Sequence, residues 1–197
     1  MQTELEQYED EPRPDSNQIE GVIKQRQRAS EIRKTVFNAA SKLIVIAAAV
    51  VLIATLFFPT VSVQRGSMIP TLLDGDNIVV MTIGGVGRGD IVAFNLGNKA
   101  MVMRIIAGPG QWVDIDSRGV VFVDREAIRE PYLINLSQGI CDVRLPMQVP
   151  DNQYFVMGDN RAISIDSRAQ DFGTVHKDEI IGKAIFRIWP LDRIGLF

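Results

Sequence analysis

The chain has 197 residues, 23% of them charged, with 21 Lys and Arg against 24 Asp and Glu and a formal net charge of −3. That length accommodates one globular domain plus additional segments, and a near-neutral balance gives no sign of a nucleic-acid partner. The single cysteine, Cys141, rules out an internal disulfide.

Residues 1–35 form a polar tail. It begins acidic, with Glu4, Glu6, Glu9, Asp10 and Glu11, passes the Pro12-Arg13-Pro14 turn, and becomes basic through Lys24, Arg26, Arg28, Arg33 and Lys34. This pattern reads as a mobile, solvated segment leading into a short juxtamembrane helix. Residues 36–58 are almost wholly apolar, with Lys42 placed to snorkel, and are long enough to cross a bilayer core as one transmembrane helix. A long polar tail precedes the run and Pro59 ends it, so it reads as a retained anchor and not as a cleaved signal. The basic flank on the amino-terminal side puts the tail in the cytoplasm and residues 59–197 outside the cell membrane. A residue such as Ser67, about nine positions past the span, then lies near the outer headgroups.

Beyond the span the pattern changes to short β-branched runs at 77–81, 90–94, 101–106, 112–115, 120–123, 154–157 and 180–188, separated by Gly, Pro, Asn and Asp. Such runs predict an all-β domain. The stretch 130–150, which contains Cys141, reads as a loop-rich insertion.

Four blocks stand out in order: Gly66-Ser67-Met68-Ile69-Pro70-Thr71-Leu72, Arg88-Gly89-Asp90-Ile91-Val92, Met103-Arg104-Ile105-Ile106-Ala107-Gly108-Pro109-Gly110, and Gly158-Asp159-Asn160-Arg161-Ala162-Ile163-Ser164-Ile165-Asp166-Ser167-Arg168. Together they resemble the type I signal peptidases, membrane-bound serine endopeptidases that remove signal peptides from exported proteins. The resemblance runs from the membrane segment to Gly195. It implies antiparallel sheets with a coiled, barrel-like core, no metal or other cofactor, and two partners, the signal peptides of exported preproteins and the bilayer.

The family works with a serine–lysine dyad, in which a buried, neutral lysine takes the proton of the attacking hydroxyl. By resemblance Ser67 is the nucleophile, and the lysine position is occupied by Met103. A thioether matches the length of a lysine stem but cannot hold a proton at neutral pH. Ser164 matches the serine that hydrogen-bonds the lysine amine. Asp166 and Arg168 match a structural ion pair beside the site, and Asp159 and Arg161 brace the same loop. Arg65 stands where one branch of the family has a serine that helps stabilise the oxyanion.

Substitute bases are few. Lys99 shares strand parity with Met103 but sits roughly 13 Å away along a strand. His176 reads as a solvated loop residue, and Lys183 falls where the family commonly has a lysine without a catalytic part. The sequence therefore reads as a membrane-anchored signal peptidase impaired by Met103. The alternative is a catalytically inactive paralogue that binds exported or surface proteins as a chaperone or assembly factor, beside an active paralogue. A soluble self-cleaving repressor with a related core does not fit the membrane span.

Overall fold

The computed structural model describes residues 16–197, so the acidic start of the tail lies outside the described residues. The chain divides into two compact units, Met1–Leu52 and Ile53–Phe197. Helix α1 runs without interruption over Ser16–Phe57. Within it, Glu31–Phe57 is unburied throughout, and its most apolar 18-residue window has a mean hydropathy of 2.4. At 1.5 Å per residue Glu31–Phe57 reaches about 40 Å, more than the hydrocarbon thickness of a bilayer. The helix thus starts well before the apolar run, because Lys, Arg, Gln and Glu in the preceding segment are good helix formers and no Gly-Pro break separates the two.

Beyond the end of α1, the second unit is built of β-strands with two short 3₁₀ turns, Lys177–Glu179 and Leu191–Arg193. Its strands are β1 (Thr60–Ser62), β2 (Asn77–Met81), β3 (Ile91–Leu96), β4 (Lys99–Ala107), β5 (Trp112–Ile115), β6 (Val121–Val123), β7 (Glu126–Ala127), β8 (Met147–Gln148), β9 (Gln153–Met157), β10 (Val175–His176) and β11 (Ile180–Trp189). Seven of them form one sheet in the order β1-β2-β11-β3-β4-β9-β10, and four form a second in the order β7-β6-β5-β8. All pairings between named strands are antiparallel. The large sheet is coiled but not a closed barrel: β1 and β10 remain its two edges. Register shifts in β11 at Ile180/Gly182, Ala184/Phe186 and Arg187/Trp189 supply bends of the kind that curl a sheet.

Strand β3 shows why its sequence is a continuous apolar run and not an alternating one. Ile91 and Ala93 join a core with Val63, Met68, Leu72, Ile78, Val80, Val102 and Ala184. Val92 and Phe94, on the opposite face, join Met103, Ile105, Tyr154, Val156 and Val175. Both faces of the sheet are covered, so both parities must be apolar. A third core, with Val113, Val123, Phe155 and Met157, fills the space beneath the small sheet. β3 and β4 meet through the two-residue turn Gly97-Asn98, with Gly97 at φ 60°, a glycine-first hairpin turn.

Candidate functional site

Ser67 lies in a turn between β1 and β2. Arg65 and Gly66 enter it in the left-handed region, at φ 71° and 63°. At Gly66 this costs nothing, and an added Cβ would stand 3.0 Å from the Ile69 side chain. Met68 and Leu72, fully buried, anchor the following turn in the core, closed by the Leu72 N–H donating to the Met68 carbonyl at 2.9 Å. Ser67, immediately before these anchors, stays half-buried and faces a small cleft of about 40 Å³ that it shares with Ser62, Arg65, Lys99, Met101 and Val102. Among the described residues no acceptor takes the Ser67 N–H.

The Gly158–Arg168 loop closes over the other side of the turn. The Asn160 N–H donates to the Ser67 carbonyl at 2.8 Å. Gly158 is required here, since an added Cβ would strike Ser164 Oγ and come within 2.6 Å of the Ser67 carbonyl oxygen. Ser164 is therefore at the Ser67 turn, 2% exposed, and its hydroxyl has no hydrogen-bond partner among the described residues. Met103 is completely buried on β4, opposite Val92, in the core that holds Phe94 and Val156. Its neighbours in sequence reach the cleft: Met101 and Val102 line it together with Ser67. The pairing of β4 with β9 covers only Arg104 to Ala107, so the second edge of Lys99–Met103 has no named strand partner.

Buried ions brace this corner. Asp159, with its side chain wholly buried, accepts from Arg104 Nε at 2.8 Å and Nη2 at 2.6 Å, and from the Thr71 hydroxyl, four residues after Ser67. Arg104 also donates to the Gly89 carbonyl at 2.8 Å and stacks over the Tyr132 ring at 3.8 Å. Burial opposes the charge on Arg104, yet the hydrogen bonds and charge of Asp159 outweigh it and hold the guanidinium above its ordinary pKa. Burial, reinforced by the charge and hydrogen bond of Glu130, pushes the Tyr132 phenol well above its usual range. Glu130 pairs in turn with buried Arg161. Asp166 and Arg168, both wholly buried, form a two-point pair at 2.8 Å for each bond, and Asp166 Oδ2 takes the Gly158 N–H at 3.0 Å.

The remaining titratable candidates are exposed or half-buried. His176 is exposed and caps the 3₁₀ turn Lys177–Glu179 by accepting from the Asp178 N–H. Lys183 pairs with Asp90 at 2.6 Å. Lys177 and Lys99 are exposed, so no lysine of the second unit is buried. Cys141 is half-buried and unpaired with another sulfur, its thiol pushed up by burial. Tyr132, Glu130 and Thr71 escaped the sequence reading, since their partners lie far away in the chain and no local spacing announces them. No group of His, Cys, Asp and Glu suited to a metal occurs among the described residues.

Comparison with known proteins bears on this geometry. The family described as "Signal peptidase, peptidase S26" matches residues 36–189. The chain is 33% identical over 174 residues to Signal peptidase I S of Bacillus subtilis (strain 168), covering 82% of this chain and 94% of that one. It is 37% identical over 149 residues to a protein named Probable signal peptidase I-1 in Synechocystis, covering 68% and 72%. Against Signal peptidase IB of Staphylococcus aureus it is 36% identical over 151 residues, covering 66% of this chain and 78% of that one. With the match extending from the apolar helix through the serine turn, β4 and the Gly158–Arg168 loop, this chain belongs to the signal peptidase family, peptidase S26.

Proposed function

We propose that this protein is a membrane-anchored signal peptidase of type I whose groove and nucleophile are kept while its general base is lost, so that it cleaves signal peptides of exported preproteins slowly or not at all. The observation that carries this reading is the pair Met103 and Ser164. In the dyad mechanism Ser67 Oγ attacks the peptide carbonyl carbon, its proton passes to a neutral amine, and that amine later protonates the departing peptide nitrogen. Here the position assigned to that amine holds a buried thioether, and the serine assigned to steady it has a hydroxyl with no partner. Lys99 and Lys177 are exposed and Lys183 is paired with Asp90, so none of them offers a buried amine.

The remaining parts suit the binding of an extended peptide. The unpartnered edge of Lys99–Met103 faces the segment 62–65 across the cleft, and a chain laid there would add a strand by main-chain hydrogen bonds. The cleft is small, which favours small side chains at the cut. The free Ser67 N–H is the oxyanion donor in this reading, and Arg65 stands in place of a second, hydroxyl donor. Asp159, Arg161, Asp166 and Arg168 hold the turn and have no catalytic part.

Residues 36–58 anchor the protein with residues 1–35 in the cytoplasm and the β domain outside, as the basic flank favours. The second reading, an inactive paralogue that binds exported or surface proteins as a chaperone or assembly factor while an active paralogue does the cutting, rests on the same Met103. The test is a preprotein peptide with a small-x-small motif after a hydrophobic stretch, presented to the full chain in detergent. Binding with little or no cleavage supports the proposal. No binding at millimolar peptide would show that the groove as well as the base has been lost.

A further inference from the structure

The cleft beside Ser67 carries two cations that the peptide reading leaves unused. Arg65 and Lys99, both exposed, line it from opposite walls, one from the serine turn and one from the first residue of β4. Neither guanidinium nor ammonium has an ion-pair or hydrogen-bond partner among the described residues. Asp74 holds the Arg65 backbone N–H at 2.8 Å, not its side chain. The other residues of the cleft, Ser62, Gln64, Met101 and Val102 among them, bring no charge. By contrast the other large cations of this corner, Arg104, Arg161 and Arg168, are buried and committed to carboxylates. Two unpaired positive charges on the walls of a narrow groove attract a negative side chain of whatever lies in it, and repel a positive one.

We propose that Arg65 and Lys99 make this groove selective for extended peptides with an Asp or Glu side chain within about four residues of the small-x-small motif, the strand distance that separates Lys99 from Met103. This rests on the groove reading above and adds the chemistry of its substrate. Exposed charge pairs are individually weak, so the selectivity is a matter of about tenfold in Kd and is sensitive to salt.

The experiment compares three labelled peptides that share one small-x-small motif and hydrophobic stretch and carry Asp, Asn or Lys beside the motif. They are titrated against the full chain in detergent at low salt and at about 1 M salt, where charges are screened beyond a few ångströms. The Asp peptide is expected to bind about tenfold more tightly than the Asn peptide at low salt, the Lys peptide more weakly than either, and the differences to collapse at high salt. In Arg65→Glu/Lys99→Glu the order inverts and the Lys peptide binds best. Arg65→Gln and Lys99→Gln, tested singly, each reduce the Asp preference and guard against a double variant that melts early. Equal Kd values for the three peptides, or an Asp preference that survives both glutamines, overturn the charge assignment while leaving the groove. Failure of all three peptides to bind overturns the groove reading and this proposal together.

Discussion

Asp159→Asn isolates the contribution of the buried brace behind the Ser67 turn. The substitution keeps an oxygen for the Thr71 hydroxyl but removes the charge that two Arg104 hydrogen bonds, at 2.8 and 2.6 Å, are made to. Arg104 is only 9% exposed, so its cation is left buried without a paired carboxylate. Breaking a buried pair in this way costs about 3–5 kcal/mol. The Tyr132 ring and the Gly89 carbonyl still hold the guanidinium, and a cation–π contact contributes about 1 kcal/mol, which places the loss at the lower end, about 3 kcal/mol. In a domain of this size that lowers Tm by roughly 6–12 °C. The assay is thermal unfolding of the full chain in detergent, and Thr71→Val serves as the comparison, costing about 1 kcal/mol for one hydrogen bond. Removing both charges with Arg104→Met/Asp159→Leu should recover much of the loss, because no lone charge remains buried. An Asp159→Asn protein melting within about 1 °C of the native chain refutes the brace.

Ser164→Ala should stabilise the native chain by about 1 kcal/mol, because it deletes a buried hydroxyl with no partner, and the sign should reverse in a Met103→Lys background, where the hydroxyl gains an amine to bond; melting curves of the four proteins check it, and a large loss in the native background contradicts it. The Tyr132 phenol has its pKa raised in the fold above the ordinary 10.0, so its stabilising contribution is complete below about pH 10 and is lost as pH rises through the folded value. Urea unfolding from pH 8 to 11.5 should show this fall, and Tyr132→Phe should flatten it; an unchanged slope in Tyr132→Phe contradicts the assignment. Protease added outside intact cells or protoplasts should digest residues from Ser62 onward while sparing those before Lys34, and protection of the β domain would reverse the proposed orientation.

Much of the fold was legible because its signals are local. The runs at 77–81 and 112–115 coincide with β2 and β5, and those for β3, β4, β6, β9 and β11 differ from the observed strands by one or two residues at an end. β1, β7, β8 and β10 were missed: two or three residues cannot display a period of two. The barrel-like expectation holds for the coiling but not for closure, which depends on whether edge strands meet, a property no single segment encodes. The irregular turn that carries Ser67 was legible from Gly66 and Pro70. Lys99 shows where strand counting stops. Counting along β4 gives its separation from Met103, which the strand keeps, but not that it lines the cleft with Ser67. The Thr71–Asp159–Arg104 network was equally silent, since it joins residues 88 and 55 positions apart.

The central claim turns on one side chain, and Met103→Lys tests it most directly. The full chain in detergent, given a signal-peptide substrate, should cleave it slowly or not at all; Met103→Lys should raise the rate by roughly 10² or more, as restored general-base catalysis allows, and adding Ser67→Ala should abolish the gain. A native chain that already cleaves at the rate of its Met103→Lys variant, and stops when Ser67 becomes Ala, would contradict the account and require another base, with Lys99 the first to be replaced.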